Sequence, residues 1–327
     1  MTVSRTAAQP PAAQGIIEGR AVLASSGSTA PLSDLPVSLF TFINGARQVP
    51  PAASQTDAQG RARFEQLNTS ANYTYTLYIK FKDTIYQSDD IAFTAGSLTA
   101  QAAVKVYDTI ADSRDLGVDQ HHVVIDVDSD SHSLGVVEVY LLTNNGDRAI
   151  TGAPNSAANN RPVSFKATLP PGAVIEGIDD RQPNVNVFQS GDQLLDTVPI
   201  PPGPASFVFS YRLPYNRSTV AIGLTTPYTV STINLLVAPG VGVRGARLVA
   251  QGSVNAGSRL FQHFSARSVP AGTTLAIELS NLPAPLIPLD VLQWLPLAAT
   301  SVALAAALFA ASRKKNDDAS ATGQTAA

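Results

Sequence analysis

Tyr73-Thr74-Tyr75-Thr76-Leu77-Tyr78-Ile79-Lys80-Phe81 is the stretch on which the fold class turns. Tyr73, Tyr75, Leu77, Ile79 and Phe81 form one row, and Thr74, Thr76, Tyr78 and Lys80 form a wetter one. A period of two puts these rows on opposite faces of a strand, whereas an amphipathic helix needs a period near 3.6. Outward from this strand the pattern repeats. Lys82-Asp83 makes a short turn into Thr84–Gln87, and Ile91, Phe93, Val104 and Val106 continue the meander. Further on, Val123, Ile125 and Val127 open a second series, followed by Leu134–Leu142, Val163–Leu169, Phe207–Leu213, Val230–Val237 and Thr274–Leu279. Pro171-Gly172, Pro202-Gly203, Pro239-Gly240 and Pro270-Ala271-Gly272 precede strands as turn signals. The expected fold class is all-β, with no repeat regular enough for a propeller or solenoid.

A chain of 327 residues carries a soft prior of two domains at about 150 residues each. The expected division is a disordered segment at 1–14, a sandwich at 15–107, a linker at 108–120 and an immunoglobulin-like sandwich at 121–285. A split of the latter near Asn216 stays open, and Asn144–Asn160, rich in Asn, Gly, Ala and Ser, reads as a long exposed loop. Charged residues are 14% of the chain, hydrophobic ones 44%, and the net charge is −3. Such a chain buries a core, but lacks the concentrated basic surface that nucleic acid needs. The absence of cysteine excludes disulfides, thiolate zinc sites and cysteine nucleophiles.

Asp290 and Arg313 bracket 22 uncharged residues, Val291–Ser312, enough for about 30 Å of helix. Trp294 stands near the start of this run, and Arg313, Lys314 and Lys315 follow its end. An indole at the headgroup level and a basic stop are the marks of a transmembrane helix. Pro296 falls near the first turn, where a missing amide donor costs little. The positive-inside rule makes 313–327 a cytoplasmic tail and places the bulk of the chain outside the cytoplasm. Met1–Gln14 contains Arg5 and no apolar core of about 7–15 residues, so no secretory leader is written there. The small residues and prolines of Ala7–Gln14 look like the spacer after a signal-peptidase site, and the expected start lies upstream. A tail-anchored protein facing the cytoplasm, or delivery by another route, are the other readings.

The first domain carries a recurrent pattern. It has Gly15-Ile16-Ile17-Glu18-Gly19-Arg20-Ala21-Val22, then Leu35-Pro36-Val37-Ser38-Leu39, then Thr56-Asp57-Ala58-Gln59-Gly60-Arg61-Ala62-Arg63-Phe64. These stretches resemble the carboxypeptidase regulatory-like (transthyretin-like) β-sandwich, with Ala62 in place of an aromatic and Gln66-Leu67 in place of Gly-Leu. The resemblance implies a module of bacterial envelope proteins that spaces or binds and carries no peptidase residues. Asp57 and Gly60 suit the opening and close of the hairpin turn on chemical grounds as well.

Candidate chemistry concentrates in His121-His122-Val123-Val124-Ile125-Asp126-Val127-Asp128-Ser129-Asp130-Ser131-His132. On a strand, His122, Asp126, Asp128, Asp130 and His132 share one face, and such donors suit a divalent ion. Neighbours on that face are about 6.7 Å apart, however, too far to share an ion without a loop. The EF-hand pattern fails too, because Ser131 replaces the turn glycine and Val137 replaces the closing Glu. Gly240-Val241-Gly242-Val243-Arg244-Gly245 matches G-x-G-x-x-G, but no helix pattern and no acidic residue follow within 20 positions. It reads as a hairpin turn. Glu138, Asp179 and Asp180 are carboxylates with no partner legible in sequence.

The expected protein is a non-catalytic, single-pass membrane protein of the cell envelope, not an enzyme and with no cofactor. Its expected partners are the lipid bilayer and a protein or glycan of the envelope, with no nucleic acid. The alternative is an accessory metal-binding subunit of an electron-transfer or metal-handling system, using His122, Asp126, Asp128, Asp130 and His132.

Overall fold

The computed structural model describes residues 14–27, 32–179, 183–256 and 259–283, and these are all-β. One 3-10 turn, Ser156–Ala158, is the only helical element among the described residues, and no helix there could cross a membrane. The expected span 291–312 and tail 313–327 lie outside the described residues, as does nearly all of 1–14.

The alternation at Tyr73–Phe81 becomes a central strand of the first sandwich. It pairs with Pro36–Ile43 on one side and with Thr84–Gln87 on the other. A second sheet is ordered Arg61–Asn68, Gln14–Leu23, Thr99–Val106, with the last two strands parallel. Ile17, Ala21, Phe64 and Val104 from this sheet meet Val37, Leu39, Leu77 and Ile79 from the other in one buried core. Burying an aliphatic side chain of this size contributes about 1.5–3 kcal/mol. Gly19 lies under that core, where a Cβ would stand 2.6 Å from Leu77 Cδ1. The turn at Asp57–Gly60 has the expected chemistry. Asp57 Oδ1 accepts from the N–H groups of Gln59 and Arg61, and Gly60 has φ +74°.

The second unit is built on a seven-stranded sheet. Its order is Val174–Ile178, Gly203–Pro214, Ser133–Asn144, Leu116–Asp128, Val230–Val237, Arg259–Val269, Val249–Ala256. Leu116–Asp128 and Val230–Val237 run parallel, so the sheet and its core are continuous across Asn216. Two three-stranded sheets cover the inner face: Phe165–Thr168, Gln193–Asp196, Val187–Ser190, and Val220–Thr226, Thr273–Ser280, Gly242–Arg244. Gly240, with φ +85°, turns the chain from the large sheet to the small one, and Gly242–Arg244 pairs there as a strand. The expected hairpin turn at the G-x-G-x-x-G match is therefore a sheet-to-sheet crossover.

Two boundaries differ from the sequence reading. Leu116–Gln120, expected in the linker 108–120, already belongs to the long strand, and Thr109–Ile110 pairs in parallel with Ala149–Ile150. Asn144–Asn160 is not a uniformly exposed loop. Ala149, Ile150 and Ala158 are buried, and the Asn144 amide donates to the carbonyls of Arg148 and Ile200. Two-residue strands are too short to show a period, which is why the sequence reads as loop. The same region ties the units together, with Ser26 N–H donating to Asp147 Oδ2 and Asp108 N–H to Ser25 Oγ.

Candidate functional site

The strand Leu116–Asp128 decides where the histidines go. Its inward row is His121, Val123 and Ile125, and its outward row includes His122, Val124 and Asp126. Asp128 ends the strand, and Asp130 and His132 lie in the turn beyond, with His132 at φ +49°. The five residues expected on one face are thus divided between a sheet face and a turn. Asp126 faces the Arg259 guanidinium, whose Nη2 donates to Oδ1 at 2.8 Å and whose Nη1 bonds Oδ2. That pairing, more than the burial opposing it, holds the Asp126 carboxyl below the usual carboxylate range. Asp128 is held low by the Ser131 hydroxyl and by the N–H groups of Ser131 and Asp130, which close the turn. His132 stacks on Tyr215, with ring centroids 6.2 Å apart. Burial lowers the His122 pKa, and the neighbouring His121 and His263 lower it further. Among the described residues, no three His, Asp or Glu side chains gather to hold a metal ion.

The structure gathers a different group. Leu134, Val136, Glu138, Tyr140 and Leu142 share the inward row of Ser133–Asn144, so Glu138 enters the core with the apolar residues around it. Glu138 and His121 are each 1% exposed. Glu138 Oε2 lies 2.7 Å from His121 Nε2, and Oε1 accepts from the Tyr211 hydroxyl at 2.8 Å. The Tyr140 hydroxyl reaches Oε2 at 3.4 Å, while its ring stacks on His121 at 3.9 Å between centroids. Phe165, Phe209 and Tyr228 continue the aromatic packing around this group. Burial, and then the Glu138 carboxylate, push both tyrosine hydroxyls well above their ordinary value, and burial pushes Tyr228 up to about 12.

His121 Nδ1 has no hydrogen-bond partner. A buried ring nitrogen without a partner costs less as a bare acceptor than as an orphaned N–H donor. This inventory assigns the proton to Nε2, giving Glu138 three donors: His121 Nε2–H, the Tyr211 O–H and the longer Tyr140 O–H. The arrangement gives a buried carboxyl group three hydrogen-bond donors, the condition for keeping it in a core. It is sealed from solvent and offers a substrate no approach. In the sequence His121 keeps step with Val123 and Ile125, but Glu138 lies in a run that is apolar on both faces, and the Tyr211 contact spans 73 residues and has no local signal.

The other carboxylates are not assembled with it. Asp179 is exposed at the end of Val174–Ile178, and Asp180 lies outside the described residues. A cleft of about 370 Å³ opens between the two units, lined by Lys82, Ile85, Arg161 and Pro199 among others. Lys82 is engaged by Asp108, and Arg161 donates to the Val185 carbonyl.

No family model and no curated protein matches the chain. Among solved structures it is similar to an M1 zinc metallopeptidase from Deinococcus radiodurans, with 13% identity and a TM-score of 0.32 over 50% of this chain and 42% of that one. It is also similar to a two-domain M1 zinc metallopeptidase variant bound to L-tryptophan, with 11% identity and a TM-score of 0.31 over 53% of this chain and 44% of the other. The chain spans less than half the length of these structures, and likeness at this level carries no chemistry across.

Proposed function

We propose that the chain is a single-pass membrane protein of the cell envelope that holds two β-sandwiches outside the cytoplasm for spacing or binding, without catalysis. In this reading the first sandwich is of the carboxypeptidase regulatory-like (transthyretin-like) kind, the second is immunoglobulin-like, and 291–312 is the span. The turn chemistry at Asp57–Gly60 and the strands that flank it support the first assignment.

The observation that carries the reading is the uncharged run Val291–Ser312 with Arg313, Lys314 and Lys315 after it, and the place where the described chain leaves the second unit gives the orientation. Leu116, Asn144 and Gly203 lie together at one end of the large sheet, and Asp128, Ser133 and Pro214 at the other. The first sandwich joins at the Leu116 end. The chain exits at the Pro214 end, where Leu282 N–H donates to the Ser218 carbonyl. A strand of 13 residues separates the two ends by about 40 Å. Residues 284–290 could span at most about 25 Å, so a bilayer at 291 would lie nearer the exit end than the end at which the first sandwich joins. The metal-handling alternative has no observation in its favour.

Because the chain lacks cysteine, single cysteines report topology directly. In intact cells stripped of any outer layer, Val49→Cys, at a site 77% exposed, takes up a membrane-impermeant maleimide. Ala327→Cys takes it up only after permeabilisation. The reverse pattern overturns the orientation.

A further inference from the structure

A second cleft opens on the second unit and shares no lining residue with the one between the units. Its volume is about 530 Å³, within the range of about 300–1,000 Å³ that small-molecule pockets occupy. Separate pieces of chain build it. The paired strands Phe165–Thr168 and Gln193–Asp196 supply Lys166 and Gln193, and Tyr228 comes from the connection between Val220–Thr226 and Val230–Val237. Ser113 stands just before the long strand Leu116–Asp128, and Asn155 ends the strand Ala153–Asn155. That last strand is held in place beside the cleft by the close approach of Gly152 to the Val163 carbonyl.

Lys166 is the one charged residue that lines the cleft, and its ammonium has no partner among the described residues. Strand alternation puts it there: Phe165 and Ala167 are buried in the core, so Lys166 emerges on the opposite side of the small sheet. The Tyr228 ring stacks on Phe165, and its oxygen accepts from the Lys166 backbone N–H, which leaves the hydroxyl proton unspent. Asn155 uses its side-chain oxygen to cap the turn Ser156–Ala158, which leaves its amide N–H groups. The Ser113 hydroxyl and the Gln193 amide have no hydrogen-bond partner among the described residues. The cleft therefore presents one cation and four neutral donors, with no carboxylate among its lining residues.

The charge count selects the ligand. A phosphate monoester brings about two negative charges, more than one ammonium neutralises, whereas a carboxylate brings one. Hydroxyl and amide side chains donate or accept as a partner requires, which suits the hydroxyl groups of a sugar. Pro154 and Pro227 add apolar wall against which a ring can lie. We propose that this cleft binds an acidic sugar, a uronic acid whose carboxylate pairs with Lys166 and whose hydroxyls meet Ser113, Asn155, Gln193 and Tyr228. The site rests on the binding role proposed above and supplies its ligand class, but it does not depend on 291–312 spanning a bilayer.

The test uses the full chain in detergent micelles, with D-galacturonate and its linear trimer as probes followed by saturation-transfer NMR. Saturable binding of either probe is expected, and binding of the trimer alone assigns the site to the acid of a polymer and not to the free sugar. Lys166→Met weakens that binding by at least about tenfold, and D-glucose, which lacks the carboxylate, binds no better to the parent chain. Gln193→Glu, at an exposed position, sets a second carboxylate against the ligand and has the same effect, while Lys166→Arg keeps the charge and retains binding. Lys105→Met, on the first sandwich, changes nothing, and every variant keeps the thermal unfolding profile of the parent. No saturable response to either probe overturns the proposal, as does an equal response to D-glucose or binding that survives both Lys166→Met and Gln193→Glu. Tighter binding of inorganic phosphate than of D-galacturonate overturns the sugar. The maleimide pattern described above reads the anchor separately: a failed titration beside the expected pattern sinks the ligand alone, and a positive titration beside the reverse pattern sinks the orientation alone.

Discussion

At the scale of single residues, the Glu138 carboxylate sets the most demanding condition in the molecule. Its cost depends on its donors, so removing them ranks their contributions. Tyr211→Phe removes a 2.8 Å donor and is expected to lower stability by about 1–3 kcal/mol, while Tyr140→Phe removes one at 3.4 Å and costs less. Denaturant unfolding of the two variants checks the order, and equal losses would show that the aromatic packing, not the donor count, sets the stability. A surface contrast is the Asp126–Arg259 pair, whose side chains are 38% and 58% exposed. The folded Asp126 pKa is lowered, so the pair's contribution is present above the ordinary aspartate range and is lost as pH falls through the lowered value. Solvent exposure and screening keep that contribution small. Arg259→Ala is expected to move the Asp126 titration upward, and an unchanged carboxyl titration by NMR would rule out the guanidinium as the cause. Which histidine is buried was legible in the period-two pattern, since His121 keeps step with Val123 and Ile125. The partner Tyr211 was not, because only the pairing of Ser133–Asn144 with Gly203–Pro214 brings it there.

Among elements, strands with a clear alternation such as Tyr73–Phe81 were legible, whereas Val249–Ala256, broken by Gly252, and the two-residue strands were not. Tyr73–Phe81 and its turn at Lys82-Asp83 follow directly from sequence, both turn residues taking positive φ. Thr109–Ile110 and Ala149–Ile150 have two residues each, and tertiary pairing alone makes them strands. The glycine with the closest approach among the described residues lies just after the second of these. Gly152 has φ +71°, and a Cβ there would stand 1.7 Å from the Val163 carbonyl oxygen, so the strands Ala153–Asn155 and Arg161–Val163 pair only because the side chain is absent. Gly27 has a similar φ of +69° with nothing within 4 Å. Gly27→Ala therefore isolates the backbone term, about 1–2 kcal/mol, and Gly152→Ala adds a steric clash that the backbone must move to relieve. Thermal unfolding should show a clearly larger loss for Gly152→Ala. A loss no greater than that of Gly27→Ala would mean that the loop from Asn144 to Asn160 adjusts freely and does not pin the first sandwich to the second.

For the whole molecule, strand register converts the order of the chain into a direction in space. The first sandwich enters the large sheet at the Leu116 end, beside Asn144 and Gly203, and the described chain leaves beside Pro214 and Ser218. No local sequence feature encodes this polarity, because it depends on a parallel pairing between Leu116–Asp128 and Val230–Val237 across more than a hundred residues. If 291–312 spans a bilayer, the turn at Asp128–His132 faces the headgroups and Asn145, next to Asn144 and Leu116, stands at the far end of the sheet. The separation is the length of that sheet, about 40 Å. Energy transfer to an acceptor lipid tests this in reconstituted vesicles, with one dye on Asp130→Cys and the same dye on Asn145→Cys in separate samples. Both positions are exposed, so neither label disturbs the core. For a dye pair whose half-transfer distance is near the sheet's own length, the Asp130 label is strongly quenched and the Asn145 label weakly. Equal quenching would mean that the strands of the large sheet lie along the bilayer and not across it.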